Sequence, residues 1–256
     1  MNASAELLAL LTTQLWHGFA VFLRVGALVS MLPAFGEQSV PARIKLAVAI
    51  AFTFVVAPAL PQISPPDELG GVGMVILSET FAGLAIGIGL RLFVLALQTA
   101  GSIAAQSTSL SQVLGGAAID PMPAMGYILI VGGLALAVMT GLHVKAAQLI
   151  ILSYEFIPFG QFATANDMTE WGVDQVAKAF SLAFTLAAPF IILAVIYNIA
   201  LGAINKAMPQ LMVAFVGAPV ITAGGLILLM VSAPSILAAW LGAMDVYLSN
   251  PFGNAR

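Results

Sequence analysis

Long apolar segments alternate with short polar loops along the whole chain. An apolar run at 5–33 is followed by the polar stretch 35–45, a second apolar run at 46–60 and a loop rich in proline and glycine at 62–71. A helix needs about 20 apolar residues to cross a bilayer. The first half of the pattern therefore predicts membrane helices joined by short surface loops.

Residues 72–114 are too long for one ordinary span, because 43 residues of helix measure about 65 Å, roughly twice the bilayer core. Arg91 lies near the middle of this segment. Either two spans meet near Arg91, or one long helix leaves the membrane.

The second half of the chain predicts three further helical segments. Asp167, with Glu170 three residues later, has the spacing of a helix-capping box at the start of the second of them. The segments are 124–157, ending before Pro158; about 168–204, kinked at Pro189; and 210–248, broken by Pro219 and Pro234. In total we expect six to eight helices in one all-α unit.

Composition makes an integral membrane protein the expected class. Of 256 residues, 61 % are hydrophobic and only 7 % are charged, against about 25 % charged in soluble domains. The mean hydropathy is +1.06. The 8 basic and 11 acidic residues are scattered singly, so no nucleic-acid partner is predicted. Because Arg24 is the first basic residue, the first helix is expected to be retained rather than cleaved.

Signatures of catalysis are missing from the sequence. It contains no HExxH, GxSxG or phosphate-binding loop, and no cysteine for thiol chemistry or zinc. Its two histidines, His17 and His143, lie in different segments and are expected to form hydrogen bonds between packed helices. We therefore predict neither enzymatic activity nor a cofactor.

Single charges occur inside the apolar segments. Each costs about 2.5–3.5 kcal/mol at a bilayer centre, so each needs a partner or water. The two possible roles are an ion or proton pathway and pairing between helices or subunits; their dispersal favours pairing. The residues are Arg24, Glu79, Arg91, Lys145 and Glu155.

Small residues are dense between 82 and 105. Gly83 and Gly87 form a GxxxG motif, which is followed by Gly89. Small side chains let helix backbones approach closely, within the chain or against a neighbour. The other small residues are Ala82, Ala85, Ala96, Ala100, Gly101, Ala104 and Ala105.

Two stretches are unusual for a simple membrane anchor. Residues 188–219 are apolar but contain Asn198, Asn205, Lys206 and Gln210, which predicts a polytopic assembly with a helix–helix turn at 205–210. The apolar, glycine- and proline-containing stretch 107–123 is either an ordinary turn or a loop at a pore that excludes water.

Several segments together resemble the FliR family, the R-type subunits of type III secretion export gates. The resemblance covers roughly residues 5–248. The matching features are Pro33; VPARIKLAVAIAFTFVVAPALP (40–61); SETFAGLAIGIGLRLFVLALQTAGSIAAQ (78–106); Asp120-Pro121; AAPFIILAVIYNIALG (187–202); and INKAMPQLMVAFVGAP (204–219).

The resemblance implies a non-enzymatic channel subunit of the bacterial inner membrane, within the flagellar basal body. One R-type copy would join P-type and Q-type subunits in a helical hetero-oligomer of long, kinked hairpins. Residues 1–185 would form a P-like part and 186–256 a Q-like part. Further implied partners are the export switch protein, the large export-gate protein and unfolded flagellar substrates in transit.

The resemblance also implies site residues. The plug that seals the channel would start at 109–114, with Leu110, Val113 and Leu114 as its hydrophobic seal. The remaining plug candidates are Gly115, Gly116, Asp120 and Pro121. Candidate assembly contacts are Arg43, Glu79, Arg91, Asn198, Asn205, Lys206, Pro209 and Gln210.

This chain departs from the family pattern at three places. Ser107 and Thr108 stand where a glycine is common, residues 115–119 are additional, and Lys206 stands where arginine is common. A small secondary transporter built from broken helices is the alternative function. The resemblance does not separate a flagellar gate from a virulence injectisome gate.

Overall fold

The computed structural model describes residues 2–66, 68–108, 124–208 and 213–253. The secondary structure in these ranges is helical, without strands. The helices are α1 (Asn2–Met31), α2 (Ala42–Val56), α3 (Leu69–Thr108), α4 (Ala124–Met139), α5 (Leu142–Phe156), α6 (Ala165–Ala207) and α7 (Val213–Ser249), with a 3₁₀ turn at Ala57–Ala59 after α2. The predicted all-α class is confirmed.

The overlong apolar segment forms one helix. α3 is continuous for 40 residues, which corresponds to about 60 Å. Of the two arrangements that the sequence left open, the single long helix is the one found. Arg91 lies within α3 and not between two spans.

The segment 124–157 is two helices, so the prediction of one continuous helix is wrong. α4 ends at Met139 and α5 begins at Leu142, and Gly141 between them has a φ of 85°. This left-handed conformation is nearly free for glycine and costly for other residues. The glycine was visible in the sequence, but the unbroken apolar pattern around it masked the break.

The cap of α6 also differs from the prediction. The side-chain oxygen of Thr164 accepts a hydrogen bond from the backbone N–H of Asp167 at 3.3 Å. Thr164 is therefore the N-cap, and Asp167 occupies the third helical position. The N-cap therefore lies three residues before Asp167, the residue that the sequence pattern indicated.

Prolines do not end the last helix. α7 runs from Val213 to Ser249 with Pro219 and Pro234 inside it, so the predicted breaks are wrong. α6 continues through Pro189, as predicted, and the kink at Pro189 stays a prediction. Long membrane helices tolerate proline because neighbouring groups satisfy the freed carbonyls.

The chain divides into two compact units. The first contains Met1–Leu92, Val138–Gln175 and Met244–Arg256, and the second contains Phe93–Ala137 and Val176–Ala243. The proposed change from a P-like to a Q-like part near residue 185 concerns likeness to other subunits. It stays a prediction.

Much of the described surface is apolar. Leu15, Phe54, Ile199 and Met230 each expose more than two thirds of their surface. In the part of the chain that the structure describes, four helices are long and apolar enough to cross a membrane, or five if α4 and α5 together form one bent span. The four are Ala42–Ala59, Leu69–Thr108, Ala165–Ala207 and Pro219–Ser249. These features confirm a polytopic membrane protein.

The break at Gly141 gives a test with a matched control. Gly141→Ala forces a side chain into the left-handed region, at a cost of about 1–2 kcal/mol. Gly172 lies within α6, where an added Cβ meets nothing within 4 Å. Gly172→Ala should therefore raise the free energy of unfolding by about 0.5–1 kcal/mol. Thermal unfolding of the purified chain in detergent should show midpoint shifts of opposite sign. An unchanged or raised midpoint for Gly141→Ala contradicts the assigned break.

Candidate functional site

A buried ion pair joins α1 to α3 inside the first unit. The Nε of Arg24 donates to Oε2 of Glu79 at 2.8 Å, and one terminal nitrogen donates to Oε1 at 3.1 Å. Both side chains are fully buried. A two-point contact matches the planar guanidinium to the carboxylate and fixes their relative orientation.

Further contacts bring α5 and the loop after it to the same pair. The Arg24 guanidinium donates to the Ser153 hydroxyl at 3.1 Å and to the Ile157 carbonyl at 3.0 Å. Its carbon lies 3.7 Å from the centre of the Tyr154 ring. The backbone N–H of Gly160 donates to Glu79 at 3.0 Å. We call these six residues the charge node.

Two glycines allow α1 and α3 to approach closely enough for the node to form. A Cβ on Gly83 would overlap the Arg24 carbonyl oxygen and lie 2.9 Å from Ala27 Cβ. A Cβ on Gly87 would lie 2.9 Å from Met31 Cβ. The GxxxG motif therefore serves a contact within this chain, one of the two alternatives that the sequence left open.

Two more charged residues of the apolar segments have partners in the chain. Arg91 pairs with Glu37, and Lys145 pairs with Asp245 at 2.7 Å. The expectation of pairing is thereby confirmed for Arg24, Glu79, Arg91 and Lys145. Glu155 is exposed on α5.

His17 is a packing histidine, as predicted. One ring nitrogen, Nε2, lies 2.8 Å from the Ala57 carbonyl oxygen, and the other, Nδ1, accepts from the Ile63 N–H at 3.3 Å. Since a carbonyl only accepts and an amide N–H only donates, these contacts fix the neutral ring with its proton on Nε2. His143 is exposed, which does not match a packing role within this chain.

The candidate assembly residues occupy different environments. Arg43 is exposed in the first turn of α2, and Asn198, Asn205 and Lys206 are exposed near the end of α6. Glu79, by contrast, is buried in the charge node, and Arg91 is held by Glu37. The predicted turn at 205–210 is wrong at its start, because Asn205 and Lys206 still belong to α6, which ends at Ala207.

Several candidate residues lie outside the described residues. They are the plug candidates Leu110, Val113, Leu114, Gly115, Gly116, Asp120 and Pro121, and the assembly candidates Pro209 and Gln210.

Sequence reasoning missed the residues that complete the ion pairs. Glu37 and Asp245 lie near segment ends, where charges are common and attract no attention. Ser153 and Gly160 contact the node through a hydroxyl and a backbone N–H. Gly160, two residues after Pro158, was a visible sequence signal of a turn, and it has a φ of 69°.

Long apolar helices, exposed apolar surface and internally paired charges define an α-helical polytopic membrane protein. Comparison with known proteins narrows this class. The chain belongs to the family described as bacterial export proteins, family 1, whose model matches residues 15–246. The resemblance found in the sequence motifs is thus confirmed.

Curated relatives carry the name flagellar biosynthetic protein FliR. The protein of Caulobacter vibrioides is 36 % identical over 231 residues, covering 89 % of this chain and 92 % of the relative. That of Escherichia coli is 30 % identical over 227 residues, covering 85 % and 84 %. That of Bacillus subtilis is 27 % identical over 218 residues, covering 82 % and 83 %. None of these relatives is named as a transporter of small solutes.

The charge node predicts a specific pattern of stabilities. Arg24→Met or Glu79→Leu alone leaves an uncompensated buried charge and should cost about 3–5 kcal/mol. The double variant should be more stable than either single variant, because it leaves no buried charge. Chemical unfolding in detergent gives the free energies of unfolding of the unsubstituted chain, the two single variants and the double variant.

A matched control is available at the partly exposed pair. Arg91→Met, which removes one partner of Glu37, should cost only about 1 kcal/mol or less, because water screens the charge that remains. Coupling between Arg24 and Glu79 would be contradicted if the double variant lost as much free energy of unfolding as the two single variants lose together.

Proposed function

We propose that this chain is the R-type subunit of the flagellar type III protein export gate in the bacterial inner membrane, at the basal body. It assembles with P-type and Q-type subunits into a helical channel through which unfolded flagellar substrates pass. The export switch protein and the large export-gate protein dock on this assembly. The chain acts structurally, without a catalytic activity or a cofactor of its own.

The observation that carries this proposal is the likeness to flagellar FliR proteins over nearly their whole length, 92 % of the Caulobacter protein. A match of this extent leaves only a small part of each relative without a matching segment in this chain. The names of these relatives also favour the flagellar gate over the injectisome gate.

The end of α6 supports assembly with other subunits. In the stretch 198–208 the structure leaves every residue exposed except Leu201, which is partly exposed. A helix that is largely apolar on all sides is covered by other helices or by lipid. Asn198 and Asn205 are seven residues apart and so share one face of the helix.

These amides favour protein over lipid as the covering of that face. An amide facing hydrocarbon lacks hydrogen-bond partners, whereas a neighbouring helix supplies them. Lys206 lies in the last turn of α6, where its charge also suits the negative end of the helix dipole. The face is therefore suited to a neighbouring subunit.

The plug is proposed from the family resemblance. The segment 109–123 follows the long helix α3 in the same order as in the family, and its Leu110, Val113 and Leu114 are apolar. Apolar side chains at a constriction exclude water and so block ions.

Deleting residues 110–119 tests the plug. We expect the gate to assemble with unchanged subunit composition, as measured by native mass spectrometry after co-expression with P-type and Q-type subunits. Vesicles containing the assembled gate should become permeable to potassium, because the apolar barrier is lost. Permeability equal to that of the intact gate would remove the plug from the proposal.

Reversing the charge of Lys206 tests the assembly face. Lys206→Glu places a negative charge at the negative end of the helix dipole and should weaken assembly and motility strongly. Lys206→Arg keeps the charge and serves as the control, with motility near that of the unsubstituted chain. Pro209→Leu should also weaken export. Motility is measured in a flagellated host that lacks its own gene, and normal motility of Lys206→Glu argues against a role for this turn.

A further inference from the structure

An open groove runs between α1 and α2 in the first unit. It has a volume of about 700 Å³, within the range of roughly 300–1,000 Å³ that ligand sites occupy. On α1 it follows one stripe of the helix, with Leu11, Leu15, Gly18 and Phe22 in its wall, because residues three and four apart share a helix face. We call this space the α1–α2 groove.

The facing wall belongs to α2 and the turn after it, and it repeats the same spacing. Ile50, Thr53, Phe54 and Ala57 line it. The Thr53 hydroxyl donates to the Ala49 carbonyl of its own helix at 2.8 Å, so its proton is not offered to the groove. Both walls are therefore largely apolar.

His17 fixes one end of the groove. Its ring lies 2.8 Å from the Ala57 carbonyl oxygen and accepts from the Ile63 N–H at 3.3 Å. These bonds tie the chain that leaves α2 to α1. The groove is thus formed before any ligand arrives, which lowers the cost of binding.

The groove is polar at one end only. Gln14 and Gln62 line that end with exposed amides. The other end is bounded by the Phe22 ring, which packs towards Gly26 further along α1, where an added Cβ would lie 3.6 Å from the ring. Among the described residues that line the groove, none is Asp, Glu, Lys or Arg.

The polar end lies at one edge of a membrane span, and the apolar end lies near the middle of that span. The span is Ala42–Ala59, so Gln62 lies just beyond its end and Ile50 near its centre. Leu11 and Phe22 are eleven residues apart, about 16 Å along α1, which is roughly half of the hydrocarbon core. The groove therefore has the depth of one leaflet.

We propose that the α1–α2 groove is a phospholipid site that holds one acyl chain. The acyl chain lies between the apolar walls, and its ester carbonyl accepts hydrogen bonds from the amides of Gln14 and Gln62. Ester carbonyls lie in the interfacial region beside the hydrocarbon core, the level at which the two amides are found. This role goes beyond the export-gate proposal and does not depend on it.

The dimensions favour an acyl chain over a neighbouring helix. A membrane helix is about 10 Å or more across and continues through the whole span. The groove instead ends at Phe22 and Ile50, near the middle of the span, which is where an acyl chain of one leaflet also ends. Because the described lining carries no acidic or basic side chain, the site recognises the acyl and ester groups and not the charge of the headgroup.

Gly18 gives a variant that fills the groove without displacing the helices. It lines the groove, and an added Cβ meets nothing within 4 Å. Gly18→Leu should occupy the space of the acyl chain, whereas Gly18→Ala should leave most of it open. Gly172→Leu is the matched control, because Gly172 is also helical, has nothing within 4 Å of an added Cβ and does not line the groove.

Photo-crosslinking measures the occupancy of the groove. The full chain, with the membrane proteins that co-purify with it, is placed in vesicles of phosphatidylethanolamine and phosphatidylglycerol. A small fraction of the phospholipid carries a diazirine at the end of one acyl chain. Peptide mass spectrometry should find adducts at Phe22 and Ile50, and Met230, which is exposed on α7, reports contact with bulk lipid.

At limiting labelled lipid, Gly18→Leu should lower the yield at Phe22 and Ile50 about tenfold, since a close-packed site cannot hold both the leucine and the acyl chain. Gly18→Ala and Gly172→Leu should keep the yield. The yield at Met230 should be the same in every variant.

A second variant keeps the test independent of Gly18. Gln14→Leu with Gln62→Leu removes both amides and should lower the yield at Phe22 about fivefold, the factor that one net hydrogen bond contributes. Unlabelled phosphatidylethanolamine and phosphatidylglycerol should compete equally. An unchanged yield in the double variant overturns the role of the amides, and stronger competition by phosphatidylglycerol overturns recognition without the headgroup.

Two further outcomes overturn the site itself. One is a yield at Phe22 and Ile50 that is as high in Gly18→Leu as in the unsubstituted chain. The other is found by replacing Phe54, at the rim of the groove, with the photoreactive residue benzoylphenylalanine. An adduct with a partner protein and none with lipid assigns the groove to a neighbouring subunit.

Discussion

The buried contact between Arg24 and Glu79 is the constraint around which the first unit is built. A guanidinium or a carboxylate alone in an apolar interior costs several kcal/mol, so neither can be buried without the other. Arg24 also holds the Ile157 carbonyl, and Glu79 holds the Gly160 N–H. The pair therefore fixes the register of α1 on α3 and the position of the loop that ends α5. Apolar packing alone would not select this register, since many offsets of two apolar helices bury similar area.

Glycine positions complement this charge pairing. The Arg24 carbonyl lies against Gly83, four residues after Glu79 on α3. Because residues four apart share one helix face, the close backbone approach and the ion pair occur at the same crossing. In the second unit, Gly101 against Gly126 and Gly225 against Thr108 repeat the principle without a charge. Among the described glycines inside helices, some admit another backbone or side chain, whereas others such as Gly172 and Gly202 have nothing within 4 Å of an added Cβ.

The sequence predicted the all-α membrane class and the long helices, because apolar length is a strong signal. It failed at features that depend on single dihedrals or side-chain oxygens. Gly141 breaks a helix through its left-handed φ, and Thr164 rather than Asp167 caps α6. Arg24 and Glu79 were both recognised as intramembrane charges, yet their pairing across 55 positions could not be derived. That pairing depends on how α1 crosses α3, which a single sequence does not encode in any local pattern.

Exposed apolar surface cannot by itself tell a lipid-facing helix from a subunit interface. Between membrane helices the hydrophobic effect is absent as a driving force, since lipid tails are as apolar as leucine. Close packing and polar contacts must supply the preference for protein. The described end of α6 can supply both. Asn198 and Asn205 are exposed amides on one face, and Gly202 between them is exposed, with no described atom within 4 Å of an added Cβ. Other glycines of this chain admit a close neighbour, and Gly202 offers similar space that no described residue fills. A helix that approaches along this face can come near enough for the amides to bond, which a disordered acyl chain cannot do. Space and hydrogen-bonding capacity at one face thus favour a neighbouring helix over lipid.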